Sequence, residues 1–470
     1  MKKLFTDEHW EEWKVKESKN YNMIDTADGK KTVYKKKGYL HFDLRFPFLQ
    51  RHEEIRQIVS SERVIMSWKF YPFLKVVNRT LRFKQDSNKK RPVRSTKDRP
   101  ICYAAHKDAL IYGFYAHGLT KCYEAYIRNA GFADSILAYR TDLDGKCNIQ
   151  FASEAFHQIK LKGECTVISL DIKSFFDRLD HQILKRNWMK IIGEASLPDD
   201  QYKIFKTLTQ FGYIKEEELL QYFGVDLNKI GTKPRTLLDL SPEKRSFMLF
   251  QKLRDNFILR VNGSDKNLAD EPQGIPQGSP MSAVLSNIYM IDFDAHIHRM
   301  AKDKGCIYSR YCDDILLVCP MEEATDVRDA ICAEIKKCKL EIQAAKEDEI
   351  WFRYDNDGIL RAFNGKKIKK NPEKFTPEKD HLFYKSLQYL GFEHNGQDIR
   401  IRSSSINRFY RKMKRRLSKN VKMAYSPNAI GDKVKTRTTY WRYSHFGKRN
   451  FLKYAYRCAE DEFQNAMHKT

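Results

Sequence analysis

The sequence of 470 residues predicts an α+β fold, in which an antiparallel sheet and helices are followed by a basic helical region. Two segments predict the sheet. CTVISLDI (165–172) is an apolar run that ends in an acid, and IYSRYCDDILLVC (307–319) contains two short apolar strands joined by an acidic turn. Helices are predicted by segments such as MSAVLSNIYMIDFDAHIHRM (281–300), where apolar residues recur at helical spacing after a Gly/Pro-rich loop.

The remaining elements divide the chain into three regions. Residues 1–60 are charged and mostly helical, and we interpret them as an N-terminal extension. Residues 61–392 contain the acidic and glycine-rich motifs, with a connection or insertion at about 182–270. Residues 393–470 are predicted to be helical and basic. Smaller predicted elements are an extended segment entering an amphipathic helix in RPICYAAHKDALIYGFYAHGL (99–119), a helix at 323–339, a strand at 351–354 and a hairpin at 387–392.

The composition argues against several classes of protein. Hydrophobic residues make up 41% and aromatic residues 13%, which is enough for a substantial core. No run of about 18 apolar residues occurs and the first residues contain no apolar signal segment, so we expect neither a membrane span nor secretion. The ten cysteines form no C-x-x-C pair, which predicts reduced thiols in a cytoplasm, and not disulfides or a zinc site.

The net charge of +25 is concentrated in two stretches of the chain. Residues 75–99 contain ten basic and two acidic residues, and residues 403–470 contain seventeen basic and four acidic residues. The rest of the chain is nearly neutral, so two such basic patches predict that a nucleic acid binds at both of them. An inert lysine-rich surface is the alternative that charge alone leaves open.

Three acids stand at the ends of predicted strands: Asp171, Asp313 and Asp314. Acids are depleted from strands and are costly to bury without a partner, so an apolar–Asp–Asp–apolar pattern needs an explanation. A divalent cation provides one, because Mg²⁺ binds carboxylate oxygens together with water and substrate phosphates. An ordinary aspartate turn is the alternative for Asp313 and Asp314 taken by themselves.

Three motifs occur in an order that resembles reverse transcriptases: DIKSFFDRLDH (171–181), GIPQGSP (274–280) and YCDD (311–314). KDRPI (97–101) and LQYLGF (387–392) are similar to weaker motifs of that family, and the resemblance covers about residues 75–400. It implies a right-hand polymerase whose fingers and palm occupy 61–392 and whose basic helical thumb occupies 393–470. Two Mg²⁺ ions, or Mn²⁺ in their place, are the implied cofactors.

The resemblance also implies roles for individual residues. Asp171, Asp313 and Asp314 would be catalytic and, with the carbonyl of Ile172, would bind the metal ions. The implied nucleotide-binding residues are Lys97, Arg99, Phe176, Gln277 and Lys346, and the implied primer and template contacts are Tyr311, Gly278, Leu390 and Gly391.

Phe176 stands five residues after Asp171, where the family places the side chain that faces the 2′ carbon of the sugar. A bulky ring there would exclude a 2′-hydroxyl, the group that distinguishes ribonucleotides from deoxynucleotides. A core aromatic beside Phe175 is the alternative interpretation of this position.

The start of the thumb-like region is densely basic. Its six cations within nine residues predict RNA binding, and at this density we expect them to occupy more than one face of a helix: Arg408, Arg411, Lys412, Lys414, Arg415 and Arg416. A solvated helix face is the alternative. Trp441, Tyr443 and Phe446 alternate with further cations and would either stack on bases or pack inside the thumb.

Two short sequence segments resemble one subgroup of reverse transcriptases, the stand-alone bacterial enzymes associated with defence. ILAYRTDLDGK (136–146) and IRSSSINRFYRKMKRRL (401–417) are similar to that group, and the marker motifs of retron enzymes are missing. The implied function is antiphage DNA synthesis in a bacterial cytoplasm, from dNTPs on a structured noncoding RNA template. A dormant RNA-binding scaffold and an RNA-synthesising palm polymerase are the alternatives. The copied RNA, the priming hydroxyl and the oligomeric state stay open.

Overall fold

The computed structural model describes residues 4–26, 29–34, 39–84, 93–225, 259–262, 273–376, 380–425, 436–447 and 450–461. The chain forms two compact units, each assembled from three separate segments. The first unit consists of Met1–Ala133, Lys173–Ala295 and Glu334–Glu341. The second unit consists of Asp134–Ile172, His296–Ala333 and Ile342–Thr470.

Helices and strands are interspersed along the whole described chain, which confirms the predicted α+β class. The elements up to Lys162 are α1 (Asp7–Ser18), β1 (Tyr21–Thr26), β2 (Gly29–Tyr34), α2 (Phe48–Val59), α3 (Glu62–Ser67), β3 (Phe73–Lys84), β4 (Val93–Tyr103), α4 (His106–Asn129) and α5 (Asn148–Lys162). Those up to Asp303 are β5 (Cys165–Asp171), α6 (His181–Ile192), α7 (Asp199–Thr209), β6 (Gly212–Lys215), α8 (Glu216–Tyr222), β7 (Arg260–Val261), α9 (Ser282–Tyr289) and α10 (Ile291–Asp303). The remaining elements are β8 (Ile307–Tyr311), β9 (Asp314–Cys319), α11 (Ala324–Lys337), β10 (Asp348–Tyr354), β11 (Leu360–Asn364), α12 (Gly365–Lys370), β12 (Leu387–Tyr389), β13 (Phe392–His394), β14 (Ile399–Ile401), α13 (Ser403–Ala424), α14 (Thr436–Tyr443) and α15 (Phe451–Asp461).

The first unit contains a four-stranded sheet with the order β4-β3-β6-β7. β3 and β4 form a long antiparallel pair, and β6 joins β3 in parallel. β4 leads into α4 through Ala104 and Ala105, as the sequence predicted for an extended segment that enters a helix. The segment 182–270 also contributes to this sheet through β6 and β7, although residues 226–258 and 263–272 lie outside the described residues.

The N-terminal extension packs on α4. Trp10 and Trp13 of α1 are buried, and Trp13 lies 3.6 Å from where a Cβ of Gly113 would stand. Gly118, one turn further along α4, receives Leu4 in the same way, so two small positions on one helix admit two large side chains. The prediction of a mostly helical extension missed the hairpin of β1 and β2, because its polar sequence carries little hydrophobic alternation.

The second unit contains a five-stranded antiparallel sheet with the order β11-β10-β5-β9-β8. β5 lies at its centre, and most of its side chains are buried. The predicted strand at 165–172 and the predicted hairpin at 307–319 are therefore confirmed as neighbours in one sheet. The three-stranded sheet of β12, β13 and β14 and helix α15 pack against the same core.

The helix predicted over 281–300 is two helices. α9 ends at Tyr289 and α10 begins at Ile291, with Met290 between them at φ −90° and ψ 3°. Both halves keep the apolar spacing that predicted them, so the pattern identified the helices but not the break. Within the described ranges, no helix combines the length and the apolar character that crossing a bilayer requires.

Candidate active site

The three predicted acids come together at one end of the five-stranded sheet. Asp171 ends β5 and is paired with Asp314, the first residue of β9. Asp313 lies in the two-residue turn between β8 and β9, and its carbonyl accepts a hydrogen bond from the Ile172 backbone N–H at 3.0 Å. Antiparallel pairing of the two strands therefore places the carboxyl groups side by side.

The turn that carries Asp313 is held from inside the unit. Cys312 is buried and adopts φ 59°, a left-handed conformation that residues other than glycine seldom take. The fully buried guanidinium of Arg310 donates to the Cys312 carbonyl at 3.0 Å. This contact fixes the tight turn that presents the acids.

The acids carry more negative charge than their surroundings balance. Burial raises the pKa of Asp314 to about 6, and repulsion by the carboxylates of Asp313 and Asp171 acts in the same direction. The cations of Lys346 and Arg402 lower it only in part. A bound cation would relieve this repulsion, which fits the donor chemistry that hard divalent ions require.

Lys346 provides a further indication that a cation belongs here. Its ammonium lies 2.5 Å from a carboxylate oxygen of Asp171, so a positive charge already lies next to this acid. The hydrogen bond from the Ile172 N–H to the Asp313 carbonyl places the Ile172 backbone beside the acidic turn. Among the described residues, no three His, Cys, Asp or Glu side chains, these acids included, form a group that could by itself hold a metal ion.

Tyr311 and the 387–392 hairpin lie near the acids in the second unit. Tyr311 is half-buried against Phe151, with ring centroids 6.2 Å apart. Leu390 and Gly391 form the two-residue turn between β12 and β13, both with positive φ, as a type I′ hairpin turn requires. Asn148 holds that turn by donating to the Leu390 carbonyl at 3.0 Å.

Lys97 and Arg99 lie in the first unit, on β4. They are two residues apart in a strand and therefore share one face of the β3–β4 pair. Their register partners Thr80 and Asn78 lie on that face, and so does Arg82 of β3. The pairing thus places three cations of the 75–99 stretch on this face and Lys75, Arg79 and Arg94 on the other, while residues 85–92 lie outside the described residues.

Gln277 and Gly278 belong to a loop of the first unit that is pressed against protein. The Gln277 carbonyl accepts a hydrogen bond from the Cys102 N–H at 2.7 Å. Gly278 has φ 113°, and a Cβ there would lie 2.6 Å from the Ile101 side chain. The glycine therefore admits a close approach of the loop to β4, at the residue for which the resemblance implied a primer or template contact.

Phe176 is half-buried in the first unit, while its neighbour Phe175 is buried. The two rings are 5.6 Å apart, and Phe175 takes the core position that was the alternative interpretation of Phe176. The Phe176 carbonyl accepts from the N–H of Ile275 at 2.9 Å, which ties its turn to the 274–280 loop. Part of the Phe176 ring therefore stays available to a ligand.

The basic run lies on α13, where four of its six cations share one face and Lys414 and Arg416 lie outside it, so the run occupies more than one face. Counted from Arg408, the cations of one stripe follow at i+3, i+4, i+7, i+11 and i+14, which is the spacing of a single helix face: Arg411, Lys412, Arg415, Lys419 and Lys422. Lys414 and Arg416 flank this basic stripe. Density alone did not reveal the stripe, because the 3.6-residue period gathers most of the cations on one side.

The opposite face of α13 is the packed one. Phe409 stacks on Phe451 with centroids 5.0 Å apart and contacts Tyr443, and Asn420 donates to the Thr439 hydroxyl at 2.6 Å. Tyr443 therefore packs inside the thumb-like region. Trp441 and Phe446 are 47% and 51% exposed, so they keep faces that a base can stack on.

Three residues near the acids were not identified as site residues from the sequence: Tyr139, Arg310 and Tyr389. Burial together with nearby Cys312 and Asp313 raises the pKa of Tyr139, and burial together with nearby Asp314 raises the pKa of Tyr389. Tyr139 belongs to a distant loop that docks on β8, whereas Arg310 and Tyr389 stand in the predicted hairpins at 307–319 and 387–392, where the sequence did not reveal that these polar side chains are buried.

A family model described as reverse transcriptase (RNA-dependent DNA polymerase) matches residues 236–394. This is about a third of the chain, and it includes the 274–280 loop and the YCDD turn but not Asp171. The chain therefore contains a reverse transcriptase domain, which is the domain of an RNA-directed DNA polymerase. The resemblance to reverse transcriptases that the motifs predicted is confirmed over this part of the chain.

Solved structures similar to this chain include fungal telomerases. Apo telomerase from Candida tropicalis, truncated from its C-terminal domain, is 12% identical, with 70% of this chain and 55% of that chain covered and a TM-score of 0.40. Telomerase from Candida albicans with a fragment of telomeric RNA is 12% identical, with 93% and 66% covered and a TM-score of 0.37. This chain thus spans little more than half the length of the first of these structures.

Proposed function

We propose that this protein synthesises DNA on an RNA template, adding deoxynucleotides to a 3′-hydroxyl at the site formed by Asp171, Asp313 and Asp314. The observation that carries the proposal is the pairing of Asp171 with Asp314 beside the Asp313 turn, with Lys346 on the Asp171 carboxylate. Three acids on adjacent strand ends, one with a pKa raised to about 6, form a charge arrangement that suits divalent cations.

Each acid and its neighbours would then have a defined task. Two bound Mg²⁺ ions, or Mn²⁺ in their place, would activate the attacking hydroxyl and neutralise the departing pyrophosphate. Asp171, Asp313 and Asp314, with the Ile172 carbonyl, would hold those ions, and Lys346 would leave Asp171 to pair with a phosphate. Tyr311 and the Leu390–Gly391 turn would position the primer end.

The residues of the first unit would bind the nucleotide. Arg99 and Lys97 share a face of β4 and would hold the triphosphate, for which a forked guanidinium is well suited. Gln277 would contact the nucleotide near its sugar, Gly278 would lie against the template, and the exposed part of Phe176 would exclude a 2′-hydroxyl.

We infer that the template is a dedicated structured noncoding RNA and that the product serves antiphage defence in a bacterial cytoplasm. The support is the resemblance of residues 136–146 and 401–417 to stand-alone defence reverse transcriptases, together with the basic stripe of α13. A dormant RNA-binding scaffold would have no use for three mutually repelling acids, which cost stability. Phe176 argues against a polymerase that makes RNA.

The first test combines isolation with synthesis. The purified protein, given Mg²⁺, dNTPs and a primed RNA template, is expected to extend the primer with deoxynucleotides in a reaction that a chelator stops. Sequencing the nucleic acid that co-purifies with the protein should yield one predominant RNA. Co-purified RNA without any DNA synthesis would instead support the scaffold, and a random mixture of cellular RNA would contradict a dedicated template.

A second test concerns the basic stripe of α13. If the stripe binds phosphates, RNA affinity should fall log-linearly with salt, and Arg411→Gln with Arg415→Gln should flatten the slope by about 1 to 2. Lys336→Gln with Lys337→Gln removes the same charge from the exposed end of α11, outside both basic stretches, and serves as the matched control. Equal slopes for the two double variants, measured by fluorescence anisotropy, would show that the stripe is only a solvated face.

A further inference from the structure

One exposed and strained aromatic residue at the acidic turn has no role in the proposed chemistry. Tyr139 adopts φ 61°, although an L-residue with a Cβ is disfavoured there, and its side chain is 45% exposed. Burial of the ring therefore does little to offset the strain. Strain of this kind persists only where the surrounding structure imposes it, and it is found mainly at ligand-binding and active sites.

The surroundings of Tyr139 fix its backbone. Ile136 is bridged to Arg310 of β8, and the Leu137 N–H donates to the Arg310 carbonyl at 3.0 Å. The guanidinium of Arg140, 4% exposed, binds both carboxylate oxygens of Asp142 at 2.8 and 2.9 Å and the Ile136 carbonyl at 3.1 Å. These contacts dock the segment beside β8 and leave the Tyr139 ring facing outward.

The ring is held at the catalytic turn itself. The Tyr139 hydroxyl lies beside the thiol of Cys312, the residue before Asp313. Burial raises the pKa of the phenol, and both Cys312 and the Asp313 carboxylate are close enough to raise it further. Cys312 and Tyr139 are thus two left-handed residues in contact, one buried and one exposed. The exposed ring face lies within reach of whatever the acids act on.

We propose that Tyr139 is a primer-contact residue whose ring stacks on the terminal nucleotide of the strand being extended. The inference rests on the proposed function, because a 3′-hydroxyl that reacts at Asp313 brings its own base and sugar to the same turn. A flat, half-exposed aromatic ring suits the face of a base, and such stacking tolerates any sequence, as a primer end requires. The docking of the segment against Arg310 fixes the backbone that carries the ring.

The test measures primer affinity without any synthesis. Binding of a fluorescein-labelled DNA primer on an RNA template is followed by anisotropy for the wild type, Tyr139→Gly and Tyr139→Phe. Glycine removes the ring and relieves the positive φ, so the fold is kept. We expect Tyr139→Gly to weaken binding on the order of tenfold, as loss of one stacked base usually does, and Tyr139→Phe to keep most of the affinity.

Two controls separate contact from structural support. Tyr384→Ala removes a ring of the same 45% exposure beside β11, at the other edge of the five-stranded sheet, and should not weaken binding. A primer with an abasic 3′-terminal nucleotide should bind the wild type less tightly but Tyr139→Gly with little further loss. Equal affinity of wild type and Tyr139→Gly, or a loss in Tyr139→Phe as large as in Tyr139→Gly, would overturn the assignment. Absence of synthesis by the wild type would refute the proposed function without affecting this binding comparison.

Discussion

Replacing Asp313 and Asp314 together by Asn is expected to abolish primer extension, a loss of about a thousandfold or more. The amides keep the size of the side chains but can no longer balance the charge of two divalent cations, and that charge is what stabilises the departing pyrophosphate. Extension of a DNA primer on an RNA template is the measurement. Asp326→Asn removes one carboxylate at a position that is 75% exposed on α11 and should keep full activity.

The same substitution at Asp314 alone should make the metal-free protein more stable. The pKa of Asp314 is about 6 in the folded chain and about 4 in an unfolded chain, so the folded state binds the proton more tightly. The free energy of unfolding of the wild type, measured with a chelator, should therefore fall as the pH rises through about 4 to 6, by on the order of 2 to 3 kcal/mol. Asp314→Asn should lack this fall.

Measuring both primer extension and the free energy of unfolding separates an effect on catalysis from an effect on folding. If a variant loses primer extension while its free energy of unfolding at pH 7.5 rises, the variant is folded and the loss is one of catalysis. Mg²⁺ should stabilise the wild type more than Asp314→Asn, because only the wild type gains by relief of the carboxylate repulsion. Full extension by the double variant Asp313→Asn with Asp314→Asn would refute the assignment of these acids.

Shrinking Phe176 is expected to admit ribonucleotides. If the exposed part of the ring lies against the 2′ carbon, Phe176→Val and Phe176→Ala create room for an oxygen, and the preference for deoxynucleotides should drop by about tenfold or more. Exclusion by a clash is released when the side chain is made smaller, whereas selection through a hydrogen bond is not. The readout is the ratio of the two kcat/KM values on one RNA template.

Phe175 offers the matched control for this ratio. It is buried beside Phe176, so Phe175→Leu disturbs the same turn without changing the exposed ring. We expect Phe175→Leu to lower the free energy of unfolding, as loss of buried aromatic surface does, and to leave the ratio unchanged. A parallel loss of both activities in the Phe176 variants, with the ratio intact, would place the sugar discrimination elsewhere.

The sequence by itself predicted the reverse transcriptase domain and most of the local structure. An apolar strand ending in Asp171, a hairpin with Asp313 and Asp314 in and beside its turn, and a Gly/Pro loop before a helix are short-range patterns. Side-chain alternation and turn chemistry act over a few residues, so they can be read without the fold. The order of the three motifs then identified the reverse transcriptase domain.

Only the tertiary structure decided which distant groups meet. The register that places Asp171 beside Asp314, the docking of Tyr139 at Cys312, and the strand pairing that gathers Lys97, Arg99 and Arg82 on one face all join segments far apart in the chain. Local patterns carry no information about such partners, because register and docking depend on which surfaces are buried together. For the same reason, the backbone strain at Tyr139 could not be predicted from the sequence. The φ angle of a residue is set by the contacts around it, and here those contacts come from Arg310, Arg140 and the acidic turn.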